Sequence, residues 1–268
     1  MRDKVVIITG ASSGIGKALA HAFGEAGAKI VITGRNQESL EKASGALNIK
    51  NIDNLPIVAD VSIEKDNELV IEKTIERYGK IDVLINNAGI SMRALFEELD
   101  LSVIRQLMDI NFYGTVYATK YALPHILKTQ GSIVGVSSIA GYRGLPARTA
   151  YSASKFAMHG FLESLRTELL KKNVHVLLAC PGFTQSNIRN TALTKDGSVQ
   201  GESPRDEEKM MTAEEVAQRI LRAVEKRKRD LVMTRQGKLT VFMNKWFPGW
   251  MDKKVYQVMA KEPNSPFK

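Results

Sequence analysis

Three residues in the middle of this 268-residue chain have types and spacing suited to proton chemistry: Ser138, Tyr151 and, four residues further on, Lys155. A four-residue step within a helix puts Tyr151 and Lys155 on one face. A phenol near pKa 10 is a poor acid–base group at neutral pH, and a neighbouring ammonium favours phenolate and brings the pKa down. Tyr151 can then give a proton to a carbonyl oxygen or take one from a hydroxyl, while Ser138 holds the same oxygen by a hydrogen bond. A Tyr-x-x-x-Lys pair on its own is common, so the rest of the sequence decides its weight.

A second pattern lies near the start. Thr9-Gly10-Ala11-Ser12-Ser13-Gly14-Ile15-Gly16 follows an apolar run directly and opens a helical pattern. In that context backbone N–H groups and the helix dipole hold a pyrophosphate. Gly10, Gly14 and Gly16 would serve the tight turn and the close approach of backbone to phosphate, and plain turn glycines are the alternative. Lys17 is followed by Ala18, where a nucleotide-triphosphate P-loop needs Ser or Thr. Past the second strand the chain reads Thr33-Gly34-Arg35-Asn36, with no carboxylate to hold the ribose 2′-hydroxyl of NAD. Arg35, with the hydroxyls of Ser12 and Ser13, offers donors to a 2′-phosphate and favours NADP(H). A solvent-facing arginine at a helix entrance is the competing reading.

The elements that must position these groups follow from periodicity. Apolar strand-like runs at 4–9, 29–33, 56–59, 81–86, 131–137, 174–179 and 230–234 alternate with amphipathic helical patterns at 15–26, 37–47, 63–78, 100–128, 150–171 and 213–228. Almost continuously apolar strands suit a parallel sheet covered on both faces, hence a doubly wound α/β fold of about seven strands in a single domain, 1–268. The polar segment at about 184–212 is too long for an ordinary connection and reads as a mobile substrate loop or lid inside that domain. The extension at about 237–268 is rich in aromatics, with Phe242, Trp246, Phe247, Trp250 and Tyr256 among lysines. It suits helices closing the core or a subunit interface, an apolar cover over a substrate, or contact with a membrane surface.

Taken in order, the glycine loop spaced G-x-x-x-G-x-G, Asn86-Asn87-Ala88-Gly89, Asp109-Ile110-Asn111-Phe112, the Ser138, Tyr151 and Lys155 set, and Pro181-Gly182-Phe183-Thr184 resemble the short-chain dehydrogenase/reductase family over roughly residues 4–234. The resemblance implies a Rossmann-like fold with Asn111, Ser138, Tyr151 and Lys155 as catalytic groups, Asn111 supporting a water-linked proton relay. A helical asparagine facing solvent would look the same in one sequence. It further implies cofactor contacts from Gly10, Ser12, Ser13, Gly14, Ile15, Gly16, Arg35, Asp60, Val61, Asn87, Ala88, Gly89, Tyr151, Lys155, Pro181, Gly182, Phe183 and Thr184. For Asp60, capping the next helix is the competing role. By resemblance the chain self-associates as a homodimer or homotetramer.

Composition narrows the remaining classes. With 44% hydrophobic and 25% charged residues the chain is ordinary globular material, and no run approaches the 18 apolar residues of a membrane-spanning helix. One cysteine cannot form an internal disulfide, and Met1 leads into the first strand without an apolar signal core, so a cytoplasmic location is expected. A net charge of +9 attracts anions of every kind. The basic run Arg219, Arg222, Lys226, Arg227, Lys228 and Arg229 reads as a solvated face, and nucleic-acid motifs are missing. His21, His125, His159 and His175 lack metal-ligand spacing, so no metal is expected. Cys180 reads as a buried, inert thiol, and Ser138 lacks the G-x-S-x-G context of a serine hydrolase. The expectation is an NADP(H)-dependent oxidoreductase acting on a carbonyl or secondary alcohol of apolar character, with Tyr151 as general acid/base. A non-catalytic NADPH sensor or scaffold on the same fold is the rival.

Overall fold

The apolar runs become seven parallel strands in the computed structural model, which describes residues 1–201, 203 and 210–267. They are β1 (Val5–Ile8), β2 (Lys29–Gly34), β3 (Asn54–Val58), β4 (Val83–Asn86), β5 (Ser132–Val136), β6 (His175–Cys180) and β7 (Asp230–Val232). Their order in the sheet is β3-β2-β1-β4-β5-β6-β7. Successive side chains point to opposite faces, and both faces are covered. Val6, Ile8, Ile30 and Ile32 pack under α1 (Gly14–Glu25), α2 (Gln37–Ile49) and α7 (Ala213–Glu225). Val5, Ile7, Val31 and Leu84 pack under α3 (Glu64–Tyr78), α5 (Gly114–Thr129) and α6 (Thr149–Glu168). That is the doubly wound architecture expected from the pattern.

Local differences from the sequence pattern have physical reasons. The helical pattern over 100–128 divides into α4 (Leu101–Leu107), a π-helical stretch Met108–Tyr113, and α5. The wider π turn carries Asn111 into the interior, where it is fully buried. The basic run is more than a solvated face. Arg219 donates to the Met233 carbonyl, and Arg227 donates to the Gln130 and Asn173 carbonyls, tying α7 and its following turn to neighbouring loops. The aromatic extension forms α8 (Arg235–Trp246) and α9 (Pro248–Ala260). No helix among the described residues is long and apolar enough to cross a membrane.

Of the expected lid at 184–212, residue 202 and residues 204–209 lie outside the described residues. Its described part is pinned by backbone hydrogen bonds. Leu193 pairs with Met92 and Thr184 with Met211, and the Leu193 carbonyl accepts from Arg93 N–H at 2.8 Å.

The lower end of the sheet is tied by one buried acid. Asp82 accepts from the Val5 N–H at 3.0 Å and pairs with Lys4 at 2.8 Å and Lys80 at 3.0 Å. Burial pushes its carboxyl up, but the bonds from Lys4, Val5 and Lys80 outweigh this and hold it below the usual carboxylate range. A carboxylate whose pKa is lowered on folding contributes stability above its unfolded pKa and loses it as pH falls through the folded value. Asp82→Asn is therefore expected to cost about 1–3 kcal/mol in denaturant unfolding at pH 7. The gap from the native protein should close in acid.

Candidate active site

Strand order reverses between β1 and β4, and open α/β sheets have their ligand crevice at such a reversal. Here the two loops touch backbone to backbone. Gly10 has φ +64, and a Cβ on it would lie 2.8 Å from the Ala88 Cα. A Cβ on Gly16 would lie 2.2 Å from the Gly10 carbonyl oxygen and 2.5 Å from Asn87 Nδ2. Thr9 Oγ1 accepts from the N–H groups of Asn87 and Ala88, both at 3.0 Å, and Asn87 Nδ2 donates to the Thr9 and Gly10 carbonyls. Ser13 precedes α1 without capping it by its side chain, and the first turn of α1 has no acid. The positive end of the helix therefore opens onto the cleft.

That cleft has a volume of about 630 Å³ and runs from the glycine loop, with Ser12, Ser13, Gly14 and Ile15, past Gly89 to Pro181, Gly182, Phe183 and Thr184. Arg35 lies on its rim with 61% of its side chain exposed, 3.9 Å from the Asp60 carboxylate. Ser12 lies close to Gly34, the neighbour of Arg35. Asp60 lines the cleft and accepts from the Ser62 N–H and hydroxyl in the turn before α3; the N-cap position of that helix is Ile63, so Asp60 does not cap it. Val61 is buried behind it, against Gly114.

At the other end, Ser138 follows β5, and its Oγ accepts from Ala140 N–H. Tyr151 and Lys155 project from α6, which approaches β5 so closely that a Cβ on Gly135 would meet Leu162 Cδ1 at 2.3 Å. Lys155 Nζ donates to the Val136 carbonyl at 3.1 Å and lies 5.9 Å from the centre of the Tyr151 ring. Asn111 does not face solvent. Its Oδ1 accepts from Ile90 N–H at 2.8 Å, and its Nδ2 donates to the Ile90 carbonyl and to Ser154 Oγ. Both Asn111 Oδ1 and Lys155 Nζ lie within 3.5 Å of the point a Gly89 Cβ would occupy. Ser138, Tyr151, Lys155 and Asn111 thus meet around one end of the cleft.

The electrostatics depart from the simple ammonium–phenol picture. Burial pushes the Tyr151 phenol above its ordinary value, and the neighbouring Ser138 hydroxyl and Arg148 guanidinium draw it only part of the way back. Burial likewise pushes the Lys155 ammonium down to about 8.

Sequence reasoning missed a cluster beside this end. Glu262, in the tail after α9, is buried with its Oε2 3.6 Å from Arg93 and 3.5 Å from Arg148. Arg148 stands immediately before α6, three residues before Tyr151, and lines the cleft. The available signal was slight: Glu262 is the one acid after Asp252. The structure also supplies the histidine that the sequence did not pair with Cys180. His159 Nε2 lies 3.7 Å from its Sγ and 2.7 Å from Ser137 Oγ. Burial pushes the thiol up to about 12 and the imidazole down to about 4, so both are neutral and the pair is structural. Among the described residues no group of three or more His, Cys, Asp or Glu is placed to hold a metal ion.

A lysine whose pKa falls from 10.5 to about 8 on folding is a burden on stability wherever it is charged. That burden shrinks as pH rises from about 8 towards 10.5. Relative to Lys155→Met, the native protein should therefore gain about 3 kcal/mol between pH 7 and pH 11. A stability difference independent of pH would contradict a buried, depressed amine.

Residues 4–197 match the family model described as short chain dehydrogenase. Mouse dehydrogenase/reductase SDR family member 7B is 38% identical over 239 residues, 87% of this chain and 74% of the mouse protein. A Drosophila melanogaster protein, dehydrogenase/reductase SDR family protein 7-like, is 35% identical over 96% of this chain and 80% of its own length. Among solved structures, a Burkholderia phymatum short chain dehydrogenase/reductase in complex with NAD superposes with TM-score 0.83 at 23% identity, covering 93% of this chain and 95% of that one. A Thermococcus sibiricus alcohol dehydrogenase complexed with 5-hydroxy-NADP superposes with TM-score 0.76 at 24% identity, covering 87% and 96%. These last two share the fold, and it is the match over residues 4–197 together with the animal relatives that makes this chain a member of the short-chain dehydrogenase/reductase family of oxidoreductases.

Proposed function

We propose that the protein is an NADP(H)-dependent reductase of ketones or aldehydes, working through Ser138, Tyr151 and Lys155. The observation that carries this reading is spatial. One continuous cleft joins a glycine-floored helix N-terminus to the Ser138, Tyr151 and Lys155 group. The cofactor fits the first end, because the cleft there is lined by Gly10, Gly14 and Gly16, whose lack of side chains lets the two loops close tightly and leaves backbone facing the ligand, and the first turn of α1 presents no carboxylate. Ser12, Ser13 and Arg35 would hold a 2′-phosphate, Asp60 and Val61 the adenine, Lys155 the nicotinamide ribose, and Pro181 to Thr184 the carboxamide. When bound, the nicotinamide supplies or accepts the hydride.

The chain's own groups do the rest. Ser138 holds the substrate oxygen, and Tyr151 gives it a proton during reduction or removes one during oxidation. Lys155 retains a proton at neutral pH and favours the phenolate that Tyr151 leaves behind. Asn111, locked between Ile90 and Ser154, positions the loop carrying Gly89 against α6 and stands beside Lys155, where a water-linked proton supply would enter. Ile90, Leu145, Leu193 and Val199 line the substrate end, which supports an apolar carbonyl compound. The rings of Phe112, Tyr113, Tyr117 and Phe161, contributed by the π-helical stretch, α5 and α6, form a surface suited to dimer or tetramer formation.

Tyr151→Phe should lower kcat by about 10²- to 10⁴-fold while leaving the Kd for NADPH nearly unchanged. Retained turnover would remove Tyr151 from the acid–base role. Arg35→Asp should weaken NADPH binding about ten- to a hundredfold and leave NADH binding little affected. An unchanged ratio of the two dissociation constants, measured by fluorescence titration, would reject the assignment of NADP(H).

A further inference from the structure

We infer that the outer face of α8 and α9 docks on an anionic lipid surface. Leu239, Phe242 and Trp246 follow one another at steps of three and four and form a stripe along α8. Phe247 and Trp250 continue it around the corner into α9, and each of the five exposes more than half of its surface. The opposite face of the pair is already used: Met251, Val255 and Met259 pack with Met243 and Leu145. A helix pair that is apolar on both faces needs a second layer over its outer one.

Charge selects what that layer is. Between residues 235 and 260 stand Arg235, Lys238, Lys245, Lys253 and Lys254, against Asp252 as the one acid, and Asp252 pairs with Arg143. A two-fold contact of this face with its own copy would bring together five basic residues from each copy against one acid apiece, Asp252, which Arg143 already engages. Anionic headgroups answer the basic residues. Lysine stems reach from an apolar layer to the charged one, and tryptophan rings settle at the headgroup level. Lys245 Nζ already lies 5.7 Å over the Trp246 ring. The docked face would adjoin the cleft, since Gly237 packs on Ile139, the neighbour of Ser138, and Leu145 both lines the cleft and meets the inner side of α9. An apolar substrate drawn from lipid would suit this arrangement. That coupling rests on the proposed function, and the docking does not.

The test uses the chain's two tryptophans, Trp246 and Trp250, which both lie on this face and report on it directly. Purified protein comprising residues 1–268 is titrated with vesicles of phosphatidylcholine, with or without phosphatidylglycerol, while emission and co-sedimentation are followed. Emission should move to shorter wavelength and protein should sediment with the anionic vesicles. Binding should weaken in 1 M salt, where the screening length falls to about 3 Å. Lys253→Gln with Lys254→Gln should weaken vesicle binding about thirtyfold. Leu239→Ser with Phe242→Ser keeps both tryptophans and, at an unchanged unfolding midpoint, should abolish the shift. The proposal is overturned by the absence of any shift with anionic vesicles, or by full vesicle binding in the Leu239→Ser, Phe242→Ser protein. It is overturned equally by a shift that follows protein concentration without vesicles, which assigns the face to a second copy, or by a shift with an acidic peptide alone, which assigns it to an acidic protein. None of these readouts needs cofactor or turnover, so failure here leaves the proposed reductase standing.

Discussion

The contact between the β1 and β4 loops is the constraint on which the rest of the site depends. Thr9 Oγ1 holds two consecutive backbone N–H groups, and Gly10 and Ala88 approach so closely that no side chain fits between them. This stitch keeps the crevice at the strand reversal open and floored by backbone rather than side chains. It places the N-terminus of α1 on one side and the Asn87–Gly89 segment on the other. Asn111 then locks the far end of that segment to α6, so the glycine loop and the Tyr151 end belong to one rigid frame.

Burial governs the chemistry inside that frame. An exposed ammonium beside a phenol would lower the phenol's pKa, but here both groups are taken out of water and each is pushed towards its neutral form. Opposed shifts of this kind on neighbouring groups lining a cleft support the proposed acid–base role, and they cost stability. The contrast with Cys180 and His159 is instructive. Those two are also buried, and both are neutral at pH 7, but neither lines the cleft.

Much of this was legible in the residues because it is local. Apolar runs, a glycine loop behind a strand and a four-residue Tyr–Lys step each state their geometry within a dozen positions. Contacts between distant segments were not legible. Glu262 reaches Arg93 and Arg148 across more than a hundred residues, and nothing near it in the chain announces a partner. The inward turn of Asn111 depends on a π-helical widening for which hydrophobic periodicity has no signature. The placement of Arg35 beside Asp60 required the end of β2 and the start of the α3 turn to be seen together. The tail could be read as apolar and basic, but which face would pack inward was decided by Leu145 and Met243.

The central claim, that this cleft transfers hydride to a carbonyl carbon, is tested most directly by isotope. The protein is incubated with NADPH carrying deuterium on the nicotinamide C4, together with carbonyl compounds graded from small and polar to bulky and apolar, and the alcohols formed are analysed by mass spectrometry. The account predicts one deuterium on the carbinol carbon, with the greatest yield among the apolar ketones or aldehydes. NADPH bound tightly with no labelled alcohol from any compound would contradict it, and would leave a protein that holds the cofactor without using it.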